Sequence, residues 1–109
     1  MESEIEMEVL DHIGYYLGAM NNKYRLAIML LLKKHEKLSF TEIHKKLIEN
    51  GLILSKPQLA YHLGILSSAE LITNRYQRKN KTLSEYKLSP IGKKVLEIAK
   101  KTIEIKTPT

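Results

Sequence analysis

The sequence predicts a mainly α-helical domain with one small β-hairpin. Three observations carry that reading. Apolar residues recur at helical spacing through five segments. Two cap signals, Ser39 with Glu42 and Ser55 with Gln58, stand where helices would begin. The period changes to strand-like alternation only within residues 71–88.

The first helix spans roughly 4–20, with Ile5, Val9, Ile13, Leu17 and Met20 as its apolar stripe. Gly14 and Gly18 weaken its second half and leave room for another helix to approach. "NNKYRLAIMLLLKKH" is a second helix over about 22–35, capped by Asn21 or Asn22 and apolar on nearly all faces, hence central. "KLSFTEIHKKLIENG" starts a third at Ser39 and stops it at Asn50-Gly51, with Phe40, Ile43, Leu47 and Ile48 as the buried face. In "ILSKPQLAYHLGILSSAEL" a fourth helix runs over 55–68. Pro57 lies in its first turn, and Leu59, Leu63 and Leu66 form a stripe that Leu71 continues. "LITNRYQR" and "TLSEYKL" then alternate around the polar turn "KNKT", a hairpin. "SPIGKKVLEIAKKTIEI" closes the chain as a helix over 89–105, capped by Ser89 with Pro90 in its first turn. The expected order is α-α-α-α-β-β-α in a single domain over 1–109: an N-terminal helix (1–20), a core (22–88) and a C-terminal helix (89–105).

The 109 residues suffice for one core, and 43% apolar content predicts a packed globule. Without cysteine there are no disulfides, thiolate zinc sites or cysteine nucleophiles. The longest apolar run, Leu26–Leu32, is far short of the ~20 residues of a membrane span, and the acidic N-terminus is unlike a signal peptide. A soluble, cytoplasmic protein with no membrane partner is expected. The net charge of +6 is uneven. Glu2, Glu4, Glu6, Glu8 and Asp11 stand without a base in the first eleven residues. The other 98 hold 18 Lys and Arg against 7 acids, a net +11. A basic body suits a polyanion, nucleic acid before membrane surface; the plainer alternative is a lysine-rich surface that only solubilises.

Three helices followed by a basic hairpin make a winged helix-turn-helix. "NKYRLAIMLLL", "LSFTEIHKKL", "LSKPQLAYHLGILSSAELI" and "YKLSPIGKKVLE", in that order and spacing over about residues 22–97, resemble the ArsR-like winged-helix regulators of bacteria and archaea, including the small archaeal Lrs14-type proteins. The resemblance implies a transcriptional regulator that binds double-stranded DNA. The chain departs from the family at Ala60, often serine there, and at Gly64, often lysine or arginine. The metal-sensing cysteines and histidines are missing.

With the leucine stripe inside, the fourth helix turns Pro57, Ala60, Tyr61, Gly64 and Ser68 outward, with Lys56 and Gln58 at its tip. A major groove accepts such a helix. Gln58 suits adenine, Ala60 a thymine methyl, and Tyr61 a phosphate or sugar; alternatively Tyr61 is only a half-exposed aromatic. His62, beside the stripe, reads as a packing residue. The helix has no charge between Lys56 and Glu70, so affinity falls to the wing, residues 75–87. Arg75, Arg78, Lys79, Lys81 and Lys87 there face one acid, Glu85, with Arg78, Lys79 and Lys81 at the tip for backbone or minor groove. A solvated turn is the alternative.

Enzyme chemistry is not expected. Asp11 is the sole aspartate, and no nucleophile triad, phosphate loop or paired acids appear. His12, His35, His44 and His62 lack ligand spacing, so no metal or cofactor is expected, and the question of a small-molecule effector stays open. Ile5, Val9 and Ile13 on the first helix, with Val95, Ile98, Ala99 and Ile103 on the last, exceed what a three-helix core needs. They are expected to form a homodimer interface, unless they only cover their own domain. Two alternatives to a sequence-specific regulator stay open: an architectural protein coating DNA with little preference, and a winged helix that docks protein.

Overall fold

The computed structural model describes residues 4–76 and 84–106. The elements are α1 (Met7–Met20), α2 (Lys23–His35), β1 (Lys37–Ser39), α3 (Phe40–Glu49), α4 (Lys56–Ser68), β2 (Ile72–Tyr76), β3 (Ser84–Leu88) and α5 (Pro90–Lys106). Arg78, Lys79 and Lys81 lie outside the described residues, and of Ile103 only the helical backbone is described.

The helix starts follow local chemistry. The Asn22 side chain accepts the Tyr24 and Arg25 amides at 2.9 and 3.2 Å, satisfying two donors that have no partner within α2. Ser39 and Glu42 form a reciprocal box, and so do Ser55 and Gln58. α3 ends with Leu52 N–H on the Leu47 carbonyl and Gly51 N–H on that of Ile48. This closure needs the left-handed φ of 80° at Gly51.

The expected order lacked β1. Glu36, at φ 65°, turns the chain out of α2, and Lys37–Ser39 add a third strand. The sheet order is β1-β3-β2, antiparallel throughout, with Leu38 opposite Tyr86 and Asn74 opposite the same Tyr86. Leu38, Ile72 and Leu88 are buried beneath it.

The core is Ile28, Met29 and Leu32 of α2 against Ile43 and Leu47 of α3, Leu59, Leu63 and Leu66 of α4, and Leu71. Ile48, expected in the buried face of α3, is exposed. It lies ~100° around the helix from Leu47, beyond the stripe of Phe40, Ile43 and Leu47.

α5 leaves β3 at a tight joint. Ser89 Oγ accepts the Gly92 amide (2.8 Å) and donates to the Glu70 carbonyl (2.6 Å), while Ser89 N–H bonds the Leu71 carbonyl (3.0 Å). A side chain at Gly92 would overlap that Leu71 oxygen, so Gly92 is where α5 gains close approach. Gly14 and Gly18 serve no such contact: a Cβ on either meets nothing within 4 Å.

α1 buries only Ala19 and Met20. Two anchors set it antiparallel to α4. The Tyr15 hydroxyl donates to the Ser68 carbonyl (2.9 Å). Arg25 bridges the Ala19 carbonyl (Nε, 2.6 Å) and His62 Nδ1 (Nη1, 3.0 Å).

Candidate nucleic-acid interface

Burial of Leu59, Leu63 and Leu66 fixes the rotation of α4, and the opposite face points outward. Lys56, Pro57, Gln58, Ala60, Tyr61, Gly64 and Ser68 are all exposed, Tyr61 to 65%. The tip is pre-shaped by its cap. Gln58 Oε1 accepts the Ser55 N–H (2.8 Å) while Ser55 Oγ accepts the Gln58 N–H (3.2 Å). That leaves the Gln58 NH₂ as the group directed to a partner, and its carbonyl already holds one bond.

Behind this face is a cluster that sequence reading missed. The His62 ring stacks on Tyr24 (5.5 Å, 18°) and meets Tyr61 edge-on (5.5 Å, 62°), with the Lys23 ammonium 5.3 Å from the Tyr24 centroid. Arginine has no acceptor, so His62 Nδ1 accepts from Arg25 and the ring proton sits on Nε2. Burial, then the Arg25 charge, holds the His62 pKa below the ordinary histidine value. The helical spacing marks His62 as a packing residue beside the leucine stripe, but nothing in sequence joins it to residues 24 and 25.

On the sheet, Arg75 and Lys87 are exposed. β1 brings in a further cation: Lys37 stands opposite Lys87, which stands opposite Thr73. Lys37 Nζ lies 3.9 Å from Glu85, and Arg75 is also opposite Glu85 in register. The wing's single acid is thus flanked by a base on each neighbouring strand.

The acids of α1 sit away from this tip. Tyr15 meets the last turn of α4, so Asp11 and Glu8, a turn or two earlier in α1, lie past the C-terminal end of α4. Among the residues expected at a dimer contact, Ile5, Val9, Ile13 and Ile98 are exposed and Ala99 is half-buried. Val95 is partly buried against the domain's own core. Met7, Leu10 and Leu17 are exposed as well, and Leu17 near the end of α1 lines one groove with Ala99 of α5.

His44 serves the fold instead: its Nε2–H donates to the Leu54 carbonyl (2.8 Å) and ties α3 to the turn before α4. Among the described residues no group of three His, Cys, Asp or Glu could hold a metal, and no helix is long and apolar enough to cross a membrane.

A family model described as a helix-turn-helix domain matches residues 20–75, from the end of α1 into β2. No curated protein matches the sequence. HlyU from Vibrio cholerae N16961 is similar in structure at 26% identity, over 90% of this chain and 97% of that one, with a TM-score of 0.72. NolR from Sinorhizobium fredii is 23% identical over 94% of each chain, with a TM-score of 0.74. The homodimeric winged helix-turn-helix DNA-binding domain of Mb0332 from Mycobacterium bovis, described as a possible ArsR-family transcriptional regulator, is 17% identical over 94% of this chain and 88% of that one, with a TM-score of 0.74. Five helices and a three-stranded antiparallel sheet in this order are the winged helix-turn-helix fold.

Proposed function

The chain belongs to the helix-turn-helix family whose model covers residues 20–75, and from that premise we propose that it is a homodimeric, sequence-specific DNA-binding transcriptional regulator. The observation that carries this is the outward face of α4: a capped tip of Lys56, Pro57 and Gln58, then Ala60 and Tyr61, all exposed on a helix whose other face is locked in the core. In the major groove, Gln58 donates to a base edge, Ala60 packs on a thymine methyl, and Tyr61 reaches backbone. Arg75, with Arg78, Lys79 and Lys81 beyond the described residues, neutralises phosphate from the wing, and Lys37 and Lys87 add to the same field.

Two copies reading half-sites one DNA turn apart must be held ~34 Å from each other. The exposed Ile5 just before α1, Val9 and Ile13 of α1 and Ile98 of α5, with half-buried Ala99 and part of Val95, are the surfaces that would do so, and Ile103, whose side chain lies outside the described residues, is proposed to join them. The homodimeric state of Mb0332 supports this reading. Sedimentation of the full chain as a monomer at micromolar concentration refutes it.

A second reading is a low-specificity architectural protein. It is favoured by the engaged Gln58 carbonyl and by Ala60 and Gly64, which offer a base no hydrogen bond. Titrating a fragment of the regulator's own promoter and a random duplex across a salt series separates the two. A regulator prefers the promoter at every salt, and a coating protein does not; a domain used for protein docking binds neither.

A further inference from the structure

We propose that the groove between α1 and α4 is a binding site for a small aromatic carboxylate, seated on Arg25. The groove is an open cleft of about 670 Å³ walled by Gly14, Gly18, Ala60, Gly64, Tyr15 and Tyr61. That volume lies within the range that holds small ligands. It exists because three positions lack side chains: a Cβ at Gly14, Gly18 or Gly64 meets nothing within 4 Å. The two tyrosines supply aromatic walls, and the glycines leave the space between the helices open.

Arg25 supplies the specificity. It lines the groove and is half-buried, and its bonds among the described residues go to the Ala19 carbonyl and to His62 Nδ1. Both partners are neutral acceptors, and burial with the Arg25 charge itself keeps His62 uncharged. Two of the five guanidinium donors are used in this way, leaving a partly desolvated positive charge with donors to spare and no carboxylate described beside it. A carboxylate on a flat ring matches both halves of the site, accepting from the guanidinium while its ring lies between the tyrosines. A DNA strand fits less well. Laid along the groove, it would pass the Tyr15–Ser68 end and meet Asp11 and Glu8, which a small monoanion does not reach.

The regulatory consequence rests on the DNA-binding reading. An occupant covers Ala60, Tyr61 and Gly64, so ligand and DNA would exclude each other from α4. The binding itself is tested without DNA. The full chain, labelled with ¹⁵N, is titrated with 2-naphthoate and with 2-naphthamide. The Gly14, Gly18 and Gly64 amides and the Arg25 Nε–H should shift saturably with the carboxylate. The amide should bind at least about tenfold more weakly, the loss expected for one charge-assisted hydrogen bond. Arg25→Gln should abolish the difference. Gly14→Leu, which fills the groove from a position with open space around it, should abolish binding in a folded protein. Absence of shifts, equal response to both probes, or shifts produced by a DNA duplex and not by 2-naphthoate each overturn the proposal. If 2-naphthoate binds and the protein binds no duplex, the groove stands and the DNA-binding reading of α4 falls.

Discussion

Gln58→Glu separates the two roles of one side chain. In the structure Gln58 Oε1 accepts the Ser55 N–H at 2.8 Å, the reciprocal half of the α4 cap. A carboxylate accepts the same bond. It also sits in the first turn, where the positive helix end favours an anion by about 0.3–1 kcal/mol. Stability should therefore hold or rise, by up to roughly 4–8 °C in melting temperature for a domain of this size. What the variant gives up is the NH₂. If Gln58 donates to a base edge, its removal costs about 1–3 kcal/mol at the preferred sequence, roughly 5- to 150-fold in affinity. The new charge also repels phosphate on every sequence, an effect that shrinks as the Debye length falls from ~10 Å at 0.1 M salt. Gln58→Ala gives the contrast: it removes the base contact and half the cap, so stability falls by about 0.5–1 kcal/mol while the repulsion is absent. Thermal melts and anisotropy titrations with a labelled duplex at two salt concentrations read all of these. Wild-type affinity in a Gln58→Glu protein of undiminished stability would refute the placement of this tip on DNA, and a lower melting temperature would refute the cap.

Replacing Arg78, Lys79 and Lys81 together by alanine should weaken binding to every duplex and flatten the dependence of log K on log salt by about 0.9 for each phosphate no longer neutralised; an unchanged slope removes the wing tip from DNA. Gly92→Ala forces α5 off the Leu71 carbonyl and strains the Ser89 joint, so melting should drop by the equivalent of about 1–3 kcal/mol in spite of alanine's helix preference. Gly14→Ala, with open space around it, should instead raise the melting point, and equal behaviour of the two variants contradicts the close approach. Since the His62 pKa is lowered from 6.5, the unfolded chain takes up that proton first as pH falls. Stability should thus be flat in this respect above about pH 6.5 and decline below it as far as the folded-state value. His62→Gln, still able to accept from Arg25, should lack this part of the decline in urea midpoints measured from pH 8 to pH 5, and an identical decline would show that another group causes it.

The helices could be read from sequence because each has a local cause. Asn22, Ser39 and Ser55 are cap residues, Gly51 suits a left-handed stop, and the α4 leucines repeat at helical spacing. β1 has no such cause. Lys37–Ser39 is too short for a period, Ser39 reads first as a cap, and the partners of this strand lie at 85–87. The outward face of α4 was legible from the same leucine stripe, including Tyr61. The surroundings of that face were not. Tyr15 on Ser68 and Arg25 on His62 join residues 53 and 37 positions apart, and no spacing rule marks such pairs. For the same reason the place of Arg25 in the groove and the contribution of Lys37 to the sheet emerge only in three dimensions.

The strand order β1-β3-β2 also constrains how the chain comes off the ribosome. β1 emerges with the helix-turn-helix, yet among the described residues its neighbour in the sheet is β3, the last of the three strands made and the one in the middle. Until Leu88 has left the exit tunnel, Leu38 has no strand to pair with, and β2 has nothing on either side. The β2-β3 hairpin is the local part of the sheet, and β1 joins the other edge of β3 only across a loop of nearly fifty residues from Leu38 to Tyr86, which makes that pairing the non-local step.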